Sequence, residues 1–153
     1  MLGRLARWLR LLGYDALYAQ DLGPGHVSDH QIAARARTDG RVVLTRDREL
    51  ARRKGVRCLL VRSQILEEQL QEVVAALGRP PPGAPARCTA CNAPLVEISP
   101  AEARPRVPPY VFRTQRCFHR CPACERLYWP GSHWRRVQST FQRVLEGDPK
   151  GLG

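Results

Sequence analysis

The sequence predicts an α/β domain followed by a small zinc ribbon, and three observations carry that reading. Helix and strand signals alternate over residues 1–79, residues 79–85 (RPPPGAP) break both, and two Cys-x-x-Cys pairs occupy the chain beyond. At 153 residues there is room for one compact domain and a module too small to fold unaided. The expected boundaries are an α/β domain at 1–79, a linker at 80–86, a ribbon at 87–137 and a tail at 138–153.

The elements follow in order. Leu2, Leu5, Leu9 and Leu12 fall on one helical stripe while Arg4, Arg7 and Arg10 cluster elsewhere, so residues 2–12 read as an amphipathic helix stopped at Gly13. Residues 14–18 can run extended, and a loop through Asp21, Gly23, Pro24 and Gly25 leads to Ser28. Ser28 with Gln31 three positions later is a capping-box pattern, which starts a helix near Asp29 that Gly40 ends. The run RVVLT, ending at Thr45, is β-branched and suits a buried strand that delivers Arg46 and Asp47 at its C-terminal end. A short helix over 49–54, a strand over 56–61 and a helix from a Ser63 cap to Leu77 complete the set. Helix and strand units of this length predict a mainly parallel sheet, in which sites form beyond the C-terminal strand ends.

Charge points toward a polyanionic partner. Lys and Arg number 25 against 14 Asp and Glu, a formal balance of +11 that is nearly all arginine. Arginine's planar fork matches phosphate, and such a balance attracts nucleic acid by releasing counterions. Both halves of the chain are basic. No apolar run reaches the roughly 18 residues of a membrane span, and the arginines of MLGRLARWLR interrupt any signal-peptide core. A cytoplasmic protein without membrane contact is expected, and nothing in the sequence sets an oligomeric state.

Six cysteines in a chain without a secretory signal argue against disulfides. Cys88-Thr-Ala-Cys91 and Cys121-Pro-Ala-Cys124 form two knuckles separated by 29 residues, which together supply four thiolates for one closed, structural zinc ion. Cys117, His119 and His133 lie near enough in sequence to compete, but two knuckles already complete a tetrahedron. Cys58 reads as a small buried apolar residue.

Asp29, in the first turn of a capped helix, and Asp47, just after a strand, are candidate divalent-ion ligands; each also suits an ordinary structural role there. The segments MLGRLARWLRLLGYD, SDHQIAARARTDGRVVLTRDREL, RCTACNAPL, VPPYVF and CPACERLYWPGSHW, in this order over residues 1–136, resemble the PIN-like ribonuclease family named for the C-terminal region of the Mut-seven protein. That resemblance implies a three-layer PIN-like α/β/α domain in which clustered carboxylates bind Mg2+ or Mn2+ and hydrolyse RNA, followed by a zinc ribbon. It assigns catalytic and metal-binding roles to Asp29 and to Asp47 of the Thr-x-Asp motif. Family members open with a short strand ending in an aspartate just before the stretch matching MLG, so that first strand and its carboxylate are expected to be missing here.

Arg4, Arg7 and Arg10 on one helical face and Arg46 beside Asp47 are expected to meet RNA phosphates. In the ribbon, Trp134 and Arg135 are expected to contact RNA, because aromatics interleaved with arginine suit unpaired bases. Tyr128, Trp129 and Trp134 suit the ribbon core equally well. The sequence thus predicts a metal-dependent ribonuclease, or alternatively a non-catalytic zinc-ribbon protein that binds RNA through an incomplete PIN-like site.

Overall fold

The computed structural model describes residues 2–147 and is mixed α/β, with small sheets. Its chain contacts divide it into two compact units: Leu17–Arg79 with the stretch up to Leu5, and Ala6–Ala16 with the chain from Pro80 onward. The first helix, α1 (Gly3–Leu11), contributes residues to both, and it buries Leu5, Trp8, Leu9 and Leu11. It stops where Gly13 turns to a φ of +100°, a left-handed conformation that side chains resist, while the Tyr14 N–H donates back to the Leu9 carbonyl at 2.9 Å.

In the first unit a 3-10 turn (Ala19–Leu22) precedes α2 (Asp29–Asp39). Ser28 caps α2 reciprocally with Gln31, at 3.2 Å to the Gln31 N–H and 2.8 Å from the Ser28 N–H to the Gln31 side chain, and Gly40 ends the helix at φ +66°. The strands β1 (Val43–Thr45) and β2 (Cys58–Leu60) pair in parallel, with α3 (Arg48–Ala51) between them in the chain, a short βαβ arrangement. Ala36, Val43 and Leu50 form a core that Ile32, Val56 and the half-buried Cys58 close.

The final helix of this unit, α4 (Leu66–Leu77), begins later than its expected cap. Ile65 is the N-cap, and Ser63 acts from two residues earlier: its hydroxyl accepts from the Ile65 N–H at 3.0 Å and donates to the Glu68 carboxylate. The Glu72 carboxylate reaches back to the N–H groups of Arg62 and Ser63, so side chains rather than a single cap satisfy the donors before the helix.

The second unit is built on an antiparallel sheet of β3 (Val96–Ile98), β4 (Phe118–Arg120) and β5 (Leu127–Tyr128), with Ile98 opposite Phe118 and His119 opposite Tyr128. Between β3 and β4 the chain forms α5 (Pro100–Ala103), a 3-10 turn (Arg104–Arg106) and α6 (Pro109–Thr114). Ile98, Ala103, Val107, Val111 and Phe118 make the core, flanked by Phe112, Leu127 and Trp129. Last comes α7 (Ser132–Leu145), which runs through position 137, where the ribbon was expected to give way to a tail. It buries Val137, Thr140 and Val144 on one stripe, and Phe141 meets Tyr14 edge-on at 6.5 Å. The remainder of the expected tail, residues 148–153, lies outside the described residues.

Candidate functional site

The two cysteine knuckles fold alike. The Cys88 carbonyl accepts from the Asn92 N–H at 2.8 Å and the Cys121 carbonyl from the Glu125 N–H at 2.9 Å. Each turn is completed by a residue in the left-handed region, Asn92 at φ +71° and Glu125 at φ +67°. Asparagine tolerates this conformation well, because its short polar side chain bonds locally. These turns aim four sulfurs at one point: the Sγ atoms of Cys88, Cys91, Cys121 and Cys124 all lie within 4.8 Å of one another. A tetrahedral zinc with Zn–S bonds of about 2.3 Å requires sulfurs about 3.8 Å apart, so this donor set fits zinc in number, softness and spacing. Among the described residues it is the only gathering of three or more His, Cys, Asp or Glu side chains able to share an ion.

The electrostatics of the set call for a cation. Burial pushes the Cys88 thiol up, but hydrogen bonds from the Tyr128 hydroxyl and from the N–H groups of Cys91 and Ala90 outweigh it and bring it down to about 6. Burial and the neighbouring Cys121 and Cys88 sulfurs push Cys91 up to about 12. One thiolate forms readily, and Cys91 and Cys124 are held up in part by its charge, a repulsion that a bound metal removes. Tyr128 supports the centre from outside: its hydroxyl accepts from the Thr89 N–H at 3.1 Å, leaving its own proton for the Cys88 sulfur at 3.0 Å. Leu95 is buried beside Cys88 and Cys121, and Ala86, Ala93, Tyr128 and Trp134 close the pocket.

The competing ligands stay outside. Cys117 is exposed and joins no sulfur, while His119 packs on Trp134 at 5.7 Å between ring centres. His133 is exposed. Trp134 is therefore a half-buried wall of the metal pocket, and Arg135 beside it is exposed.

Sequence reasoning missed a polar clamp on the first knuckle. Asn92, 6% exposed, donates to the Asp15 carboxylate at 2.7 Å and accepts from the Ala16 N–H at 3.2 Å. Arg87 adds an ion pair to Asp15 at 3.7 Å. An Asn directly after the second cysteine of a knuckle signals the left-handed turn, but nothing local reveals its partners.

Arg10 is corrected by the same clamp. It was expected on an exposed face with Arg4 and Arg7, yet it is only 3% exposed, and its guanidinium donates to the Ala16 carbonyl and to the Thr89 carbonyl, each at 2.7 Å. A guanidinium so enclosed and so committed is a structural strut, and only Arg4 and Arg7 remain exposed.

The acidic candidates lie in the first unit. Asp29 sits exposed in the first turn of α2, and Asp47 sits exposed just past the C-terminal end of β1. One Asp47 oxygen accepts from the Glu49 N–H at 2.8 Å and so caps α3, while the Asp47 N–H donates to the Thr45 hydroxyl at 3.0 Å. Arg46 is half-buried and donates to the Ser63 carbonyl. No helix among the described residues is long and apolar enough to cross a membrane.

Comparison with known proteins gives a consistent picture. Residues 1–141 match the model of a family described as Mut7-C RNAse domain. Over 45 residues, 28% of this chain, the sequence is 44% identical to the exonuclease mut-7 homolog of Homo sapiens. The chain spans 5% of the length of that relative. No solved structure matches it.

Proposed function

This chain belongs to the Mut7-C RNAse domain family, and from that premise we propose that it is a divalent-metal-dependent ribonuclease of PIN-like α/β/α fold whose second unit is organised by a structural zinc ion and helps to hold RNA. The observation that carries the reading is Asp47, an exposed carboxylate at the C-terminal end of a parallel strand, where α/β folds build their sites. Asp29, exposed at the start of α2, is its proposed partner.

Both offer hard oxygen donors, and Mg2+ is commonly held by only one or two carboxylates together with substrate phosphate and water. Mg2+ or Mn2+ bound there would activate water and neutralise charge on the scissile phosphate. For the chain itself, Asp29 and Asp47 would hold that cation, while Arg4, Arg7 and Arg46 attract and orient the RNA backbone. Arg135 extends the basic surface on the second unit. Cys88, Cys91, Cys121 and Cys124, all free thiols, bind zinc, which suits the reducing conditions of the cytoplasm.

Asp47→Asn tests the catalytic proposal cleanly, because asparagine caps helices as well as aspartate does and α3 should persist. The expected result is loss of metal-stimulated cleavage of labelled single-stranded RNA with RNA affinity nearly intact. Equal cleavage by both proteins would assign the activity elsewhere. The alternative, an RNA-binding protein that does not cleave, is favoured by one observation: among the described residues neither Asp29 nor Asp47 belongs to a group of three or more potential metal ligands. RNA binding without cleavage at any Mg2+ or Mn2+ concentration would decide for it.

A further inference from the structure

The aromatic residue that spacing pointed to, Trp134, is spent on the wall of the metal pocket. Tyr110 on α6 is the opposite case. It is 63% exposed, the most exposed large apolar side chain among the described residues, and its hydroxyl has no partner among them. The helix beneath it is firmly seated: Val111 is 2% exposed within the core, and Phe112 stacks on Phe118 at 6.5 Å with ring planes 17° apart. Tyr110 is thus a flat amphipathic ring held outward on a rigid support, with nothing inside the unit that explains it.

Two cations belong to the same helix surface or are anchored against it. Arg104 lies over the Phe112 ring at 5.3 Å, which fixes its guanidinium against the same helix. Arg113, three residues after Tyr110 and so its neighbour on the helix surface, is exposed and makes no ion pair with any described residue. The acids of the flanking segments are engaged: Glu102 at the Ser99 cap of α5, Glu125 with Arg120 at 3.1 Å and Arg106 at 3.8 Å.

We propose that α6 and Arg104 form a surface for unpaired RNA, with Tyr110 stacking on a base and Arg104 and Arg113 meeting the adjoining phosphates. This rests on the RNA-directed reading above and gives it a second contact area. A base inside a duplex has both faces covered, so an exposed ring with flanking cations selects single strands.

The test uses the full zinc-loaded chain and fluorescence anisotropy with a labelled uridine-rich single strand and the matching duplex. Tyr110→Ala should weaken single-strand binding on the order of tenfold and leave duplex binding unchanged, and Tyr110→Trp should restore it. Arg104→Gln with Arg113→Gln should make the salt dependence of single-strand binding shallower by roughly 1.4 in the log–log slope, at about 0.7 per lost phosphate contact. Cleavage of the single strand is measured on the same proteins. Unchanged single-strand binding by Tyr110→Ala, with cleavage retained, overturns the surface and leaves the nuclease reading standing. Binding that depends on Tyr110 in a protein that cleaves nothing keeps the surface and removes the nuclease. Wild-type protein with no affinity for the single strand overturns the surface and the RNA-directed reading together.

Discussion

Tyr128 shows how much one side chain can decide around a candidate metal centre. Burial pushes its phenol up, and the neighbouring Cys88 sulfur pushes it further, so it stays protonated and able to donate. With its oxygen accepting from the Thr89 N–H and the Thr89 hydroxyl also in reach at 3.2 Å, it can donate its proton to the Cys88 sulfur. Outer hydrogen bonds of this kind steady a ligand and relieve its charge, and losing them weakens metal binding by about tenfold to a hundredfold. Tyr128→Phe keeps the ring in the pocket and removes only the hydroxyl. We expect its zinc affinity, measured by competition with a chromophoric chelator, to fall within that range while the fold of the loaded protein is retained; unchanged affinity would make the hydroxyl a bystander.

At the scale of elements, helix ends show how local bonds add to what the buried cores supply. The reciprocal bonds between Ser28 and Gln31 satisfy donors that α2 would otherwise leave open, and Asp29, the proposed metal ligand, directly follows the cap. Ser28→Ala should therefore destabilise the first unit by about 1 kcal/mol, read as a lowered denaturation midpoint. Because the cap also sets where Asp29 begins its turn, the same variant should lose metal-stimulated activity more than its small stability change explains. A midpoint equal to that of the wild type would show that the cap is not limiting. In the second unit the equivalent control is exercised by left-handed residues, Asn92 and Glu125, which turn each knuckle back on itself.

For the whole molecule, the zinc centre is the proposed keystone of the second unit. Its sheet has only short strands, and Cys88 and Cys121 are themselves core residues, fully buried beside Leu95. Thiolate coordination supplies folding energy that so small a core lacks. Purified protein should carry about one zinc per chain by elemental analysis. Chelation, or Cys121→Ser, should abolish amide-exchange protection in β3, β4 and β5 while protection in α2 and α4 persists. Full protection of the sheet after zinc removal would refute the structural role.

What the sequence determined by itself is what neighbours in the chain control. The capping box at Ser28, the stop at Gly40 and the two knuckles were legible because each depends on a few consecutive residues and on backbone sterics. Tertiary structure alone decided which faces are covered. Arg10 looks like any surface arginine of an amphipathic helix until Thr89, 79 positions away, accepts its guanidinium proton. Trp134 directly precedes Arg135 and Tyr110 lies three positions before Arg113, yet one packs against the cysteine cluster and the other faces solvent. The periodicity of a segment states that one side will be buried, but the partner that buries it comes from distant chain, and the cost of enclosing a charge is met only when that partner's carbonyls arrive.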